Sequence, residues 1–190
     1  VDYFLPVDGE TYSIYGAYNP SFDTSKFRFG YTSLRTPRSM YEFDMETQER
    51  ELLKQQEVMD SDFDPANYVE ARVWATARDG IKVPISMVHH KDTELSEDTP
   101  FYLYAYGSYG ATMDPGFSSS RLSLLDRGFV FGIAHIRGGE YLGRQWYEKG
   151  KLFKKKNTFY DFIDASKFLI DSKMTSASNL HAIGGSAGGL

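Results

Sequence analysis

Gly184-Gly185-Ser186-Ala187-Gly188, close to the end of the chain, is the feature that most restricts how this sequence can fold. It has the G-x-S-x-G form of a nucleophile elbow. The apolar run Leu180 to Ile183 leads into it and predicts a buried strand. A serine on a sharp strand-to-helix turn sits in a strained backbone, and small neighbours let strand and helix come close enough to make the turn. The strain aims the hydroxyl away from the sheet, toward a substrate. With 17 glycines in 190 residues the bare pentapeptide also fits a Gly/Ser-rich loop or a phosphate-cradling turn. The strand before it and the small residues at every elbow position favour a serine hydrolase. The helix that should follow the elbow is expected to lie beyond Leu190.

The sequence upstream agrees with this reading. Phe101 to Tyr106, Phe129 to Ile136 and Leu180 to Ile183 are unbroken apolar runs, which suit parallel strands covered on both faces. Between the last two, Phe159, Phe162, Ile163, Ser166, Leu169 and Ile170 recur at helical spacing, the one clear helix of the chain. Thr158 with Asp161 resembles an N-terminal capping pair. Strand, helix, strand and elbow together predict an α/β fold of the α/β-hydrolase type. Before them, Val69, Ala71, Val73 and Ala75 alternate with Glu70, Arg72 and Trp74, and Asp79-Gly80 marks a hairpin. Ile81, Val83, Ile85 and Met87 alternate on the return strand, where Pro84 predicts an edge position.

The first 60 residues are of another kind. Strand-like stretches at Tyr12–Tyr18, Lys26–Tyr31, Met40–Asp44 and Glu51–Lys54 are separated by turn residues at Asn19-Pro20-Ser21, Thr36-Pro37-Arg38 and Glu46-Thr47-Gln48. Three or four short antiparallel strands make one unit of a larger all-β assembly, such as a propeller blade, which cannot bury both its faces alone. Asp60 to Pro65 reads as a linker. The expected organisation is the terminal part of a β-propeller over 1–60, then the N-terminal portion of an α/β-hydrolase domain over 61–190.

Composition excludes several classes of function. Cysteine is absent, which rules out disulfides, thiolate nucleophiles and cysteine-ligated zinc. Nothing calls for another metal or a cofactor. The net charge of -5 argues against nucleic acid as a partner. No apolar run approaches the ~20 residues that span a bilayer, so no membrane partner is expected. The lysines at 149, 151, 154, 155 and 156 read as a solvated loop before the helix. The chain opens on Val1 rather than Met, so the natural N-terminus is expected to be missing. The expected location is the cytoplasm, or the periplasm if a signal peptide has been lost.

Ser186 needs a general base, because an unassisted hydroxyl is a poor nucleophile. In this fold the partners follow the serine in the order Ser, acid, His. Ala187, Gly188, Gly189 and Leu190 supply neither, and His89, His90, His135 and His181 all lie upstream. The acid and histidine are therefore expected outside this chain. The Ala187 N–H is one oxyanion donor by geometry. The second should come from the loop after an early strand. Tyr106-Gly107-Ser108-Tyr109-Gly110 stands there, and from position alone reads equally as that loop or as a glycine turn with core tyrosines.

A longer set of motifs narrows the choice. Tyr106-Gly107-Ser108-Tyr109-Gly110, Ser123-Leu124-Leu125-Asp126-Arg127-Gly128-Phe129, Ile136-Arg137-Gly138-Gly139-Glu140, Gln145-Trp146-Tyr147-Glu148, Lys154 to Asp161 and the elbow itself cover residues 100–190 densely. Together they resemble the prolyl oligopeptidase family, above all its oligopeptidase B branch. Residues 1–60 resemble the end of that family's β-propeller in style. The resemblance implies a two-domain serine peptidase in which a propeller restricts substrates to short peptides, cleaved after Arg or Lys. It implies Ser186 as nucleophile, the Tyr106 hydroxyl and Ala187 N–H as oxyanion hole, and Asp114 as one of two acids that help hold basic side chains. The second acid falls at Gly116, and Glu140-Tyr141-Leu142 departs from the third small residue often found after Arg-Gly-Gly. The partners it implies are short basic peptides and the remainder of the same polypeptide. Other hydrolases of the family, acylaminoacyl or prolyl peptidases, and a non-catalytic binding module remain as alternatives.

Overall fold

The computed structural model describes residues 4–190; Val1, read above as a sign of a missing natural start, lies outside them. Two sheets follow one another. In the first, β1 (Tyr12–Gly16), β2 (Lys26–Ser33), β3 (Ser39–Asp44) and β4 (Arg50–Gln55) pair antiparallel in sequence order. Phe29, Tyr31 and Phe43 form its small core, while β4 is exposed along its whole length. This is the unsaturated packing expected of a single blade.

The second sheet has the order β5-β6-β8-β7-β9. β5 (Tyr68–Thr76) and β6 (Lys82–His90) form the hairpin signalled by Asp79-Gly80. β8 (Val130–Ala134) pairs antiparallel with β6, then parallel with β7 (Phe101–Tyr104), which pairs parallel with β9 (Leu180–Ile183). α3 (Lys156–Asp171) covers one face through Ala165 and Leu169. α1 (Ser119–Leu125) covers the other through Leu122 and Leu125. A short α2 (Arg144–Glu148) plugs the rim with Trp146. Full burial of one such leucine contributes about 2 kcal/mol. A mixed sheet with parallel strands β8, β7 and β9 and a helix on each face, after a propeller-like sheet, is the α/β arrangement the sequence predicts.

Several local expectations fail, each for a definable reason. β6 is central rather than at an edge, despite Pro84. The Pro84 carbonyl accepts from His135 N at 2.9 Å, so its ring nitrogen faces the His135 carbonyl; that acceptor is taken instead by Trp146 Nε1 at 2.8 Å. The missing ladder donor is thus supplied by a side chain. Thr158 and Asp161 are not a capping pair: both lie inside α3, Thr158 donating to the Gly150 carbonyl and Asp161 accepting from Arg137. The apolar stripe of α3 is split, for Phe162, Ala165 and Leu169 face the core while Phe159 and Ile163 stay partly exposed. β9 is the outer strand of its sheet and largely exposed, not covered on both faces. α1 and α2 were not signalled by periodicity, both being too short to complete a clear stripe.

The two sheets are joined by more than the chain. Leu34, from the β2–β3 connection, enters the cluster under α1, and Phe63 of the expected linker stacks on Tyr68 and packs at a tilt against Phe117. Glu70, expected on the polar face of β5, has a side chain only 4% exposed, facing Arg35 at 3.6 Å. Burial raises its pKa against that attraction. Val69, of the apolar set on β5, is left exposed.

Candidate active site

The parallel register fixes the site. Tyr104 lies beside Ile183 at the ends of β7 and β9, so the chain beyond each strand, Ala105-Tyr106 and Gly184-Gly185, emerges side by side. Ligands in open α/β sheets bind at such carboxyl ends. Ser186 follows with φ +53°, a left-handed conformation uncommon for a residue with a side chain. It opens a 3-10 turn, Ser186–Gly189, closed by Gly188 N donating to Gly185 O at 2.9 Å. Any Cβ at Gly184 would overlap the Gly188 carbonyl, so the strand can turn back this tightly only with glycine there.

Tyr106 packs against Gly188 and lines a cavity of about 430 Å³ with the elbow backbone, Phe159, Phe162, Ile163 and Ile183. Ala187 borders this cavity and a second, of about 200 Å³, whose walls include Ser108, Tyr109, Tyr147 and Lys155. The structure thus brings Ser186, Ala187 and Tyr106 into one neighbourhood. Asp114 lies apart, in a third cavity with Tyr102, Tyr104, Arg121 and Phe131 that shares only Ile183 with the first. Burial raises the Asp114 pKa. Arg121 donates to the carbonyl of Gly116, where the second acid of the resemblance would fall.

None of the four histidines lines either cavity that Ala187 borders. His89 Nδ1 bonds to the His90 carbonyl, His90 sits 3.5 Å from Asp92, and His181 packs on Phe129. His135 does meet a serine, Ser86 Oγ at 2.8 Å from Nε2, but that serine is wholly buried and the histidine 3% exposed. Its ring stacks on Tyr141, whose hydroxyl accepts from Arg72 at 2.6 Å, so the Glu140-Tyr141-Leu142 departure has a packing role. Burial first, and the Arg72 cation second, pull the His135 pKa down to about 3. Unfolding restores a pKa near 6.5, so below that pH the unfolded chain binds a proton that the folded one refuses. Stability is expected to fall as pH drops from about 6.5 toward 3, seen as a declining Tm in the full-length polypeptide. His135→Phe keeps the stacking ring and should flatten that slope; an unchanged slope would assign the acid sensitivity elsewhere.

Two inward-turned side-chain groupings escaped the sequence. Lys155, read as part of a solvated cluster, turns inward and donates to Gly107 O and Ser108 Oγ. The available signal was its place on the helix face of Thr158, Phe162, Ala165 and Leu169. Arg137, within the Arg-Gly-Gly motif, is buried against Asp161 and Asp79. Among the described residues, no cluster of three or more His, Asp or Glu side chains is placed to hold a metal ion.

Comparison with known proteins gives the same picture. The family model described as "Prolyl oligopeptidase family" matches residues 115–190, and "Prolyl oligopeptidase, N-terminal beta-propeller domain" matches residues 7–56. The chain is 47% identical over 188 residues to dipeptidyl aminopeptidase BI of Pseudoxanthomonas mexicana, covering 98% of this chain and 26% of that protein. It is 41% identical over 183 residues to protease 2 of Moraxella lacunata, covering 96% and 26%. Oligopeptidase B from Leishmania major superposes with a TM-score of 0.86 at 43% identity, covering 97% of this chain and 26% of that one. The chain thus spans about a quarter of the length of these relatives. Two family models in the expected order, close relatives along nearly the whole chain and a shared structure place it in the prolyl oligopeptidase family of serine peptidases.

Proposed function

We propose that the full polypeptide is a serine-type oligopeptidase that cleaves short peptides after Arg or Lys through an acyl-enzyme on Ser186. The left-handed turn at Ser186, between a parallel strand and a glycine-flanked 3-10 turn, carries this reading. Ser186 Oγ attacks the scissile carbonyl while a histidine accepts its proton and returns it to the leaving amine; water then hydrolyses the ester. The histidine and its acid come from a segment of the same polypeptide outside residues 1–190. The Ala187 N–H and Tyr106 hydroxyl hold the oxyanion. Residues 1–60 belong to the propeller and 61–190 to the catalytic domain, the propeller limiting access to short peptides. Asp114, a partly buried carboxylate beside tyrosine rings, helps hold a basic side chain, although Arg121 in the same wall works against a second cation there. No nucleic acid or membrane partner enters this reading, and no helix among the described residues is long and apolar enough to cross a membrane. The cytoplasm is the location that fits short-peptide turnover.

Specificity constants for Arg, Lys, Pro and Phe reporter peptides on the full-length protein test this. A preference for Pro would move the chain to the prolyl branch. The 47% identity to a dipeptidyl aminopeptidase favours a second reading, release of N-terminal dipeptides. An arginyl dipeptide reporter with a free amine, against the same reporter blocked, separates the two.

Tyr106→Phe removes a donor needed where charge develops. It is expected to lower kcat by about 10²–10³, on the order of 3–4 kcal/mol, with little change in KM. Normal kcat in this variant would place the second donor elsewhere.

A further inference from the structure

The loop that carries Tyr106 has few ties of its own. Gly107, Tyr109 and Gly110 take φ values of +66°, +57° and +67°, a run that belongs to no helix or strand. A Cβ at Gly107 would meet Thr158 Cγ2 at 2.5 Å, so the loop is pressed against the first turn of α3. Within the backbone, Ala111 N donates to Ser108 O and Gly110 N to Gly138 O, both at 3.0 Å.

Lys155, the residue before α3, adds two stronger ties. Its Nζ donates to Gly107 O at 2.7 Å and to Ser108 Oγ at 2.6 Å, the short range of charge-assisted bonds. Its neighbour Lys151 pairs with Glu148, as a surface lysine commonly does. Lys155 instead spends its charge on one carbonyl and one hydroxyl of this loop. Burial lowers its pKa, so this placement carries a desolvation cost that the two acceptors offset. Lys155 and Ala187 also border the same cavity, distinct from the one lined by Phe162.

We propose that Lys155 is a positioning residue: its ammonium fixes the Gly107–Ser108 turn and thereby the place of the Tyr106 hydroxyl relative to Ser186. This rests on the reading of Tyr106 as an oxyanion donor. The carbonyl it holds belongs to the residue directly after Tyr106, so release of that carbonyl frees the Tyr106 backbone to rotate. A misplacement of about 1 Å at a reacting centre can cost roughly 10²-fold in rate.

The test is a double-mutant cycle in the full-length polypeptide, reading kcat and KM on its best reporter peptide. Lys155→Met keeps most of the length of the side chain and removes the charge. It is expected to lower kcat about 10- to 100-fold with KM within about threefold. Lys155→Arg, which can still donate, should recover most of that loss. In a Tyr106→Phe background, Lys155→Met should cost less than about twofold, because the group it positions is already gone. Wild-type kcat in Lys155→Met, with the usual loss in Tyr106→Phe, would overturn the role of Lys155 alone. Equal losses from Lys155→Met with and without the Tyr106 hydroxyl would show that it acts by another route. A silent Tyr106→Phe would overturn the donor reading and this role with it. If Lys155→Met does not fold, Ser108→Ala removes one acceptor and no charge. It should give a smaller fall in kcat that likewise vanishes without the Tyr106 hydroxyl.

Discussion

Replacing Ser186 by alanine in the full-length polypeptide is expected to lower kcat for peptide hydrolysis by about 10⁶-fold, the scale at which loss of the nucleophile acts in serine peptidases. KM should stay within a few-fold, because the change removes one hydroxyl and leaves the Tyr106 loop and the elbow backbone in place. Covalent labelling by a fluorophosphonate should vanish as well. The expectation follows from the backbone. A φ of +53° is costly for serine and no easier for alanine, so the variant loses the hydroxyl without relief of the strain that shapes the turn. What survives is catalysis by the oxyanion donors and by binding, about 10³–10⁴ over water. Residues 1–190 expressed alone should behave like this variant although they contain Ser186, since no imidazole among the described residues borders either cavity lined by its neighbour Ala187. Ser86 and His135 are in contact, but both are sealed beneath Tyr141 and cannot meet a peptide. More than about 1% of wild-type kcat in Ser186→Ala would refute its assignment as nucleophile.

The sequence made the architecture legible where a local signal and the tertiary solution coincide. Asp79-Gly80 turns a hairpin in any context, and the unbroken runs at Phe101 and Phe129 became the parallel pair β7 and β8. Legibility ended where a side chain serves a distant partner. Pro84 reads as an edge residue because a proline cannot donate to a ladder, and no pattern in the sequence announces that Trp146 will satisfy the orphaned carbonyl. Thr158 and Asp161 have capping spacing, yet helix α3 begins three residues earlier than that reading requires and puts both in its interior. Glu70 sits at a polar position of an alternating strand, but the first sheet packs there and buries it. For the site, the elbow and the Tyr106 loop were readable because both are tight turns written in glycine. Lys155 was not, because five lysines in eight positions conceal which one turns inward.

Arg137→Met is expected to destabilise the full-length polypeptide by about 3–5 kcal/mol, the cost of leaving one half of a buried ion pair unpaired. Arg137 is 3% exposed and Asp161 wholly buried. The guanidinium donates from Nε to Asp161 Oδ2 at 2.8 Å and from NH2 to Oδ1 at 2.6 Å, and the Arg137 backbone N–H adds a third bond at 2.9 Å. Its remaining arm reaches Asp79 at 2.6 Å. One side chain thus ties the end of β8 to α3 and to the β5–β6 hairpin. Burial disfavours the cation, but the two carboxylates more than offset it and hold the arginine charged. Methionine fills much of the same volume, so the loss reports the stranded Asp161 carboxylate rather than a void. The Tm of the full-length polypeptide should fall with it. Arg137→Met combined with Asp161→Leu removes both charges and should recover much of the lost stability, as apolar replacement of buried pairs often does. The effect should also reach the site, because Gly138, the next residue, accepts from Gly110 N and so anchors the far side of the Tyr106 loop. A loss below about 1 kcal/mol in the single variant, or a double variant no better than the single, would mean that packing around Arg137, not its pairing, holds this end of the sheet.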